Sequence, residues 1–190
     1  MKLKIPLMVC TASLFVAFPV LAQGNNSNHS GHDEDGKSAG HRQDAPHGFG
    51  DRSLVLTNPT ATAAVAGAMT SVTNTLKSGS LTTQAGAMIP PTAQAHTYSV
   101  LTADPALSAP SAATSAALST AGPEAKAIVP SLMRSLSGLG SNPAYLPAVI
   151  ADYNRFTKVA SSEFIANPPA EFIALHTVLA RLTAAANTAK

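Results

Sequence analysis

From residue 53 onward the sequence is rich in alanine, serine and threonine, and prolines and glycines divide it into segments of helical length. Alanine favours helix strongly, proline is favoured in the first turn of a helix, and glycine is favoured just beyond its end. Apolar side chains recur within several segments at intervals of three and four, which is the spacing of one helix face. The pattern predicts an all-α fold, a small helical bundle of four to five helices.

The first predicted helix follows Asn58-Pro59, with Asn58 as its N-cap, and ends near Ser78. One apolar stripe runs along it and contains Val65, Met69, Val72 and Leu76. Residues 79–103 are predicted to be a loop with one extended segment, because residues 96–101 alternate weakly between polar and apolar.

Two helices are predicted in the middle of the chain, over residues 110–121 and from Pro123 onward. Pro130 lies inside the second and is expected to bend it, because proline removes one backbone hydrogen bond. Gly138 and Gly140 are expected to end this helix.

The last two predicted helices have the clearest apolar stripes. The first begins at Asn142-Pro143 and extends to about Ile165, and the second begins after Asn167-Pro168-Pro169. Residues at helical spacing define the two stripes: Leu146, Val149, Tyr153, Phe156 and Ala160 in the first, and Phe172, Leu175, Leu179 and Leu182 in the second.

Ionic side chains are scarce in this sequence. Charged residues make up 12% of the chain, which is about half the usual share of roughly 25%. The 36 alanines and the absence of tryptophan also leave few large side chains for a core. Nucleic-acid binding is not expected, because no cluster of lysine and arginine follows the first few residues to displace counterions from phosphates.

Residues 1–22 have the pattern of a secretory signal peptide. Lys2 and Lys4 precede a mainly apolar stretch, and Val20-Leu21-Ala22 places small residues at the positions that signal peptidase reads. We therefore expect cleavage after Ala22, a secreted or periplasmic protein, and no stable membrane span after cleavage. An uncleaved anchor is the alternative, since residues 5–22 reach the lower length limit for crossing a bilayer.

The expected mature chain is electrically neutral and lacks thiols. Without Lys2 and Lys4, ten basic and ten acidic residues remain. Cys10 is the only cysteine and belongs to the leader. The exported domain must therefore fold by packing alone, without disulfides, and thiol catalysis is excluded.

Residues 23–52 form a polar segment that is predicted to be a disordered arm, because it contains too few large apolar residues to offset the entropy of ordering. Residues 53–190 are predicted to form a single helical domain. The arm contains the candidate metal ligands, which are His29, His32, Asp33, His41 and His47. Imidazoles and carboxylates bind divalent transition metals, so weak metal binding by a metal-handling accessory protein is one functional hypothesis.

A catalytic site is the least favoured hypothesis. His176 lies at the edge of the last apolar stripe and could combine with Asp152, Tyr153 or Arg155 if the two helices face each other. The sequence contains no hydrolase elbow, phosphate-binding loop or His-Glu-x-x-His zinc motif. We therefore predict that the protein is not an enzyme and needs no cofactor.

By elimination, the sequence predicts an exported, non-catalytic binding or structural module. Its weakly charged surface is suited to protein contacts. The expected partner is an unidentified protein or a component of the cell envelope. It would bind in an apolar groove between helices or on the alanine-, serine- and threonine-rich face of the first helix.

Overall fold

The computed structural model describes residues 52–190. The all-α prediction is confirmed, since these residues contain seven α-helices and no strand beyond one isolated bridge between Thr82 and Met88. The helix number differs from the expected four to five. The helices are α1 Thr62–Lys77, α2 Pro91–Thr102, α3 Ser108–Leu118, α4 Pro123–Ser141, α5 Leu146–Val159, α6 Ser162–Ala166 and α7 Ala170–Thr188.

Helix α1 has the predicted buried face but a different start. All four residues of its apolar stripe are buried, which confirms the stripe. The helix begins at Thr62, and Asn58 is not its N-cap. Instead, Asn58 Nδ2 donates to the carbonyl oxygen of Ala189 at 3.2 Å, so the Asn58 side chain connects the segment before α1 to the residue after α7.

Helix α2 replaces the extended segment that was predicted for residues 96–101, and that prediction was wrong. The helix packs against α1, α3, α4 and α7. Because neighbours surround it, polar residues such as Gln94 and Thr97 are buried together with Val100 and Leu101. A helix buried on several sides has no continuous polar stripe, and the period of three to four is therefore weak.

Helix α4 continues through Pro130, Gly138 and Gly140 and ends at Ser141, so the two glycines do not terminate it. At Gly140 a Cβ atom would overlap the carbonyl group of Leu101. Glycine at this position therefore allows the backbones of α4 and α2 to approach closely, which the sequence pattern alone could not distinguish from a helix end.

The C-terminal part of the domain follows the sequence prediction most closely. Helix α7 starts after Pro169 as expected, whereas α5 ends at Val159 instead of near Ile165. Ser161 then begins the short α6, because its hydroxyl accepts a hydrogen bond from the Phe164 amide at 3.2 Å. Four aromatic rings pack together across α5, α6 and α7, those of Tyr153, Phe156, Phe164 and Phe172.

Residues 52–58, called the strap here, form neither helix nor strand, bend at Thr57 and lie on the helices before α1 begins. Its burial alternates with a period of two, as in a strand with one buried face. Arg52, Leu54, Leu56 and Asn58 face the domain, and the intervening residues are exposed. In residues 52–190, no helix is long and apolar enough to cross a membrane.

Candidate functional site

A set of side-chain hydrogen bonds to the main chain lies where the strap crosses α5 and α7. Helix α5 packs mainly on α4, and α7 packs mainly on α1. The two helices meet each other through side chains, which are Tyr153 and Phe156 of α5 and Phe172 and His176 of α7. The strap contacts both helices along this groove. Its two leucines, Leu54 and Leu56, are half-buried against the hydrophobic core.

Asn154 of α5 holds the strap by the main chain of one residue. The Leu54 N–H donates to Asn154 Oδ1 at 2.9 Å, and Asn154 Nδ2 donates to the Leu54 carbonyl at 2.9 Å. The carboxamide thus satisfies both backbone groups, as a neighbouring strand would in a sheet.

Asn187 of α7 also binds the strap through its carboxamide, but it contacts the main chain of two different residues. The Thr57 N–H donates to Asn187 Oδ1 at 2.8 Å, and Asn187 Nδ2 donates to the Val55 carbonyl at 2.8 Å. Two asparagine side chains on different helices therefore bind four main-chain groups of the strap.

Arg52 closes the start of the groove. Its guanidinium lies 5.3 Å from the centre of the Phe172 ring, which is within the range of a cation–π contact. The side chain is buried, with 9% of the residue exposed. Burial lowers the pKa of Arg52, and the adjacent Tyr153 opposes this shift. The last residue assigned to the arm is thus packed on the helical domain.

Tyr153 and His176 form a hydrogen-bonded pair beside Arg52. The Tyr153 hydroxyl lies 2.7 Å from His176 Nδ1. Burial raises the pKa of Tyr153, and it lowers the pKa of His176, with a further lowering from the positive charge of Arg52. Both side chains are therefore uncharged at neutral pH, and the pair joins α5 to α7.

Only one of the three partners suggested for His176 contacts it. Asp152 points instead to α4, where its Oδ2 accepts hydrogen bonds from Ser131 at 2.9 Å and Ser135 at 2.7 Å. Arg155 Nη1 lies 3.7 Å from Asp152 Oδ1, and its side chain is 68% exposed. Of the residues considered for a catalytic site around His176, only Tyr153 is therefore in contact with it.

His96 and Glu171 form a second histidine pair that the sequence did not reveal. His96 Nδ1 lies 3.1 Å from Glu171 Oε1, which links α2 to α7. The residues are 75 positions apart, and the expected extended segment around His96 gave no indication of this contact. The pair could be predicted only if residues 91–102 were already known to form a helix that packs against α7.

The predicted metal ligands His29, His32, Asp33, His41 and His47 lie outside the described residues. Within residues 52–190, no group of three or more histidine, cysteine, aspartate or glutamate side chains is placed to bind a metal ion.

An open pocket of about 340 Å³ lies beside α6. The hydroxyls of two of its lining residues, Thr120 and Ser161, already bond to backbone: Thr120 Oγ1 donates to the Ala117 carbonyl, and Ser161 Oγ accepts from Phe164. Its carboxylate is that of Glu163. These groups do not include a nucleophile paired with a base.

Asn154 and Asn187 are also residues that the sequence analysis did not identify. The sequence contains no clear signal for them, because Leu54, Val55 and Leu56 form a continuous apolar run without a period of two. The alternation appears only in the burial of the folded chain, and it does not identify the side chains that bind the backbone. Comparison of the chain with protein-family models, curated proteins and solved structures gives no match.

Proposed function

We propose that the chain is an exported, non-catalytic binding module and that residues 52–190 are its binding part. The observation that carries this proposal is the way Asn154 and Asn187 hold the main chain of the strap in the groove between α5 and α7. Hydrogen bonds to the main chain, with side chains placed at alternate positions, are a general means of binding an extended peptide.

The polar side chains that were considered for catalysis form hydrogen bonds within the protein, which supports a non-catalytic role. Catalysis requires a nucleophile or a water beside a base, together with space for a reacting atom. His176 is instead half-buried against Tyr153, and Asp152 accepts bonds from two serines of α4. Each of these groups joins two helices, so the fold accounts for their positions.

Export is the second element of the proposal and is supported by the sequence of residues 1–22. A partner outside the cytosol is then expected, either a protein or a component of the cell envelope. Intact-mass measurement of the protein from its native source should give a chain that begins at Gln23. A mature protein that still begins at Met1 would contradict export by cleavage.

Photo-crosslinking in the native host tests the binding role. A photoreactive residue is placed in turn at the large apolar positions that are exposed within residues 52–190, which are Val55, Met88 and Tyr145, at 70%, 62% and 46% exposed. The matched control is Leu132, which is 0% exposed. We expect a discrete adduct with one partner from at least one exposed position and none from Leu132. No adduct at any of the exposed positions would contradict the proposal.

Metal handling by the arm is the second candidate function. Four of the six histidines lie between residues 29 and 47, close to several carboxylates. A segment of this composition is suited to binding divalent transition metals weakly, and it could pass an ion to a partner.

A further inference from the structure

We infer that the groove between α5 and α7 is a binding site for an extended segment of a partner protein with the pattern basic-x-Leu-x-Leu. The strap occupies this site in cis, and the partner segment replaces it. This inference rests on the proposed binding role and identifies the surface and the chemistry of the partner.

The main-chain contacts make the site independent of most of the ligand sequence. The two asparagine carboxamides bind the N–H groups of Leu54 and Thr57 and the carbonyl groups of Leu54 and Val55. Any extended peptide presents the same groups at the same intervals. Proline is excluded at the positions of Leu54 and Thr57, because it has no N–H to donate.

The inward-facing side chains set the preferred pattern. Leu54 and Leu56 pack against the core two residues apart, and Arg52 lies over the Phe172 ring. Val55, between the leucines, is 70% exposed, so the corresponding position of a partner segment can hold any side chain. A partner segment therefore needs a basic residue, then leucine two and four positions later.

The strap lies outside the helices, so that its departure does not require any helix to unwind. It precedes α1, and residues 59–61 separate it from the first helical residue, Thr62. Segments outside the helices with exposed outer faces open more readily than the core. The strap also competes as a tethered ligand at high effective concentration, so a free peptide should bind well only when the strap is weakened.

Fluorescence polarisation with a labelled peptide of residues 50–60 tests the site. The receptor is the mature chain carrying Leu54→Asp and Leu56→Asp, which should empty the groove. We expect saturable binding at least tenfold tighter than to the unmodified chain. Adding Asn154→Leu and Asn187→Leu, which keep side-chain size and remove the carboxamides, should abolish binding, and so should aspartate at both leucine positions of the peptide.

Two results would overturn the inference. The first is failure of the receptor to bind the peptide although its circular dichroism spectrum shows unchanged helix content. Equal binding by the variant that also carries Asn154→Leu and Asn187→Leu counts in the same way. The second result comes from amide hydrogen exchange in the unmodified chain, so it can be obtained even if the receptor variant does not fold. Exchange of the Leu54 and Thr57 amides only at the rate of global unfolding would show that the strap never opens.

Failure of this test would leave the proposed binding role to be judged by crosslinking at Met88 and Tyr145, which lie outside the strap. If the peptide binds but no crosslink forms, the groove is shown to bind peptides, and the proposed partner in the native host is contradicted. The two proposals can therefore fail separately.

Discussion

The Tyr153 hydroxyl and His176 Nδ1 are 2.7 Å apart, and this contact connects α5 and α7 at the end of the groove where Arg52 is packed. Tyr153 is fully buried, so its hydroxyl would lose a partner if His176 were absent. The same histidine that sequence reasoning considered as a catalytic candidate therefore has a structural role between two helices.

Stability should fall when the pH drops below the ordinary pKa of histidine. The pKa of His176 is lowered in the folded state by burial and then by Arg52, so the unfolded chain binds the proton more tightly. The stability that neutral His176 contributes is complete above about pH 6.5 and is lost as pH falls through the folded-state pKa. The free energy of unfolding should be higher for wild type than for His176→Gln at pH 7.5, and this difference should become smaller as the pH is lowered to 5.

Proton NMR titration checks the cause of this effect. The His176 ring should titrate below its ordinary value, and Arg52→Met should raise its pKa without restoring it fully, because burial is the larger cause. A His176 pKa at or above about 6.5 would contradict the account. Equal pH dependence of stability in wild type and His176→Gln would do so as well.

Gln94→Leu should strongly destabilise the domain. Gln94 is fully buried, and its carboxamide bonds to the Leu81 N–H at 2.9 Å and to the carbonyls of Gly79 at 3.0 Å and Ile89 at 2.7 Å. The substitution leaves these loop groups without their partner, at a cost of about 3 kcal/mol for the free energy of unfolding.

Urea unfolding at pH 7 measures the effect of Gln94→Leu. The matched control is Gln84→Leu in the same loop, where the side chain is exposed and a change within about 0.5 kcal/mol is expected. Similar losses for the two variants would show that the buried carboxamide does not hold the loop.

Two glycine substitutions should change stability in opposite directions. Gly140→Ala places a methyl group against the Leu101 carbonyl and should cost about 3 kcal/mol, as severe overpacking does. Gly67→Ala on the exposed side of α1 meets no atom within 4 Å and should add about 0.5–1 kcal/mol through helix propensity. Thermal unfolding compares the two, and a neutral Gly140→Ala would contradict the close approach of α2 and α4.

The proposed metal binding by residues 23–52 is tested by calorimetric titration of the chain from Gln23 onward with zinc, copper and nickel. A variant with asparagine at positions 29, 32, 41 and 47 removes the imidazoles and leaves Arg52 and the strap intact. We expect weak, saturable heat that the variant loses. Equal binding by both chains, or no heat above buffer, would remove the metal-handling hypothesis.

The sequence predicted the helices that bury one face and expose the other. The stripes of α1 and α5 were predictable because solvent on one side favours small or polar residues there, as the exposed Ala151, Arg155 and Lys158 of α5 illustrate. The start of α7 after Pro169 was readable for a similar reason, since proline restricts the backbone locally.

The central helix and the groove could not be predicted in the same way. Helix α2 lacks a polar stripe because it packs on four other helices, and Gly140 permits a contact with a residue 39 positions earlier. Asn154 and the strap are about 100 positions apart in the chain. Such contacts depend on how the helices pack, and a single sequence does not encode them as a local pattern.

The most direct test of the central claim is NMR detection of scalar couplings across the strap hydrogen bonds. A coupling between the Leu54 amide nitrogen and the side-chain carbonyl carbon of Asn154 reports that bond itself, and the pair formed by Thr57 and Asn187 provides a second one. The account predicts both couplings in the chain from Gln23 onward. Their absence, with Leu54 and Thr57 amides that exchange as fast as in an unfolded peptide, would contradict it.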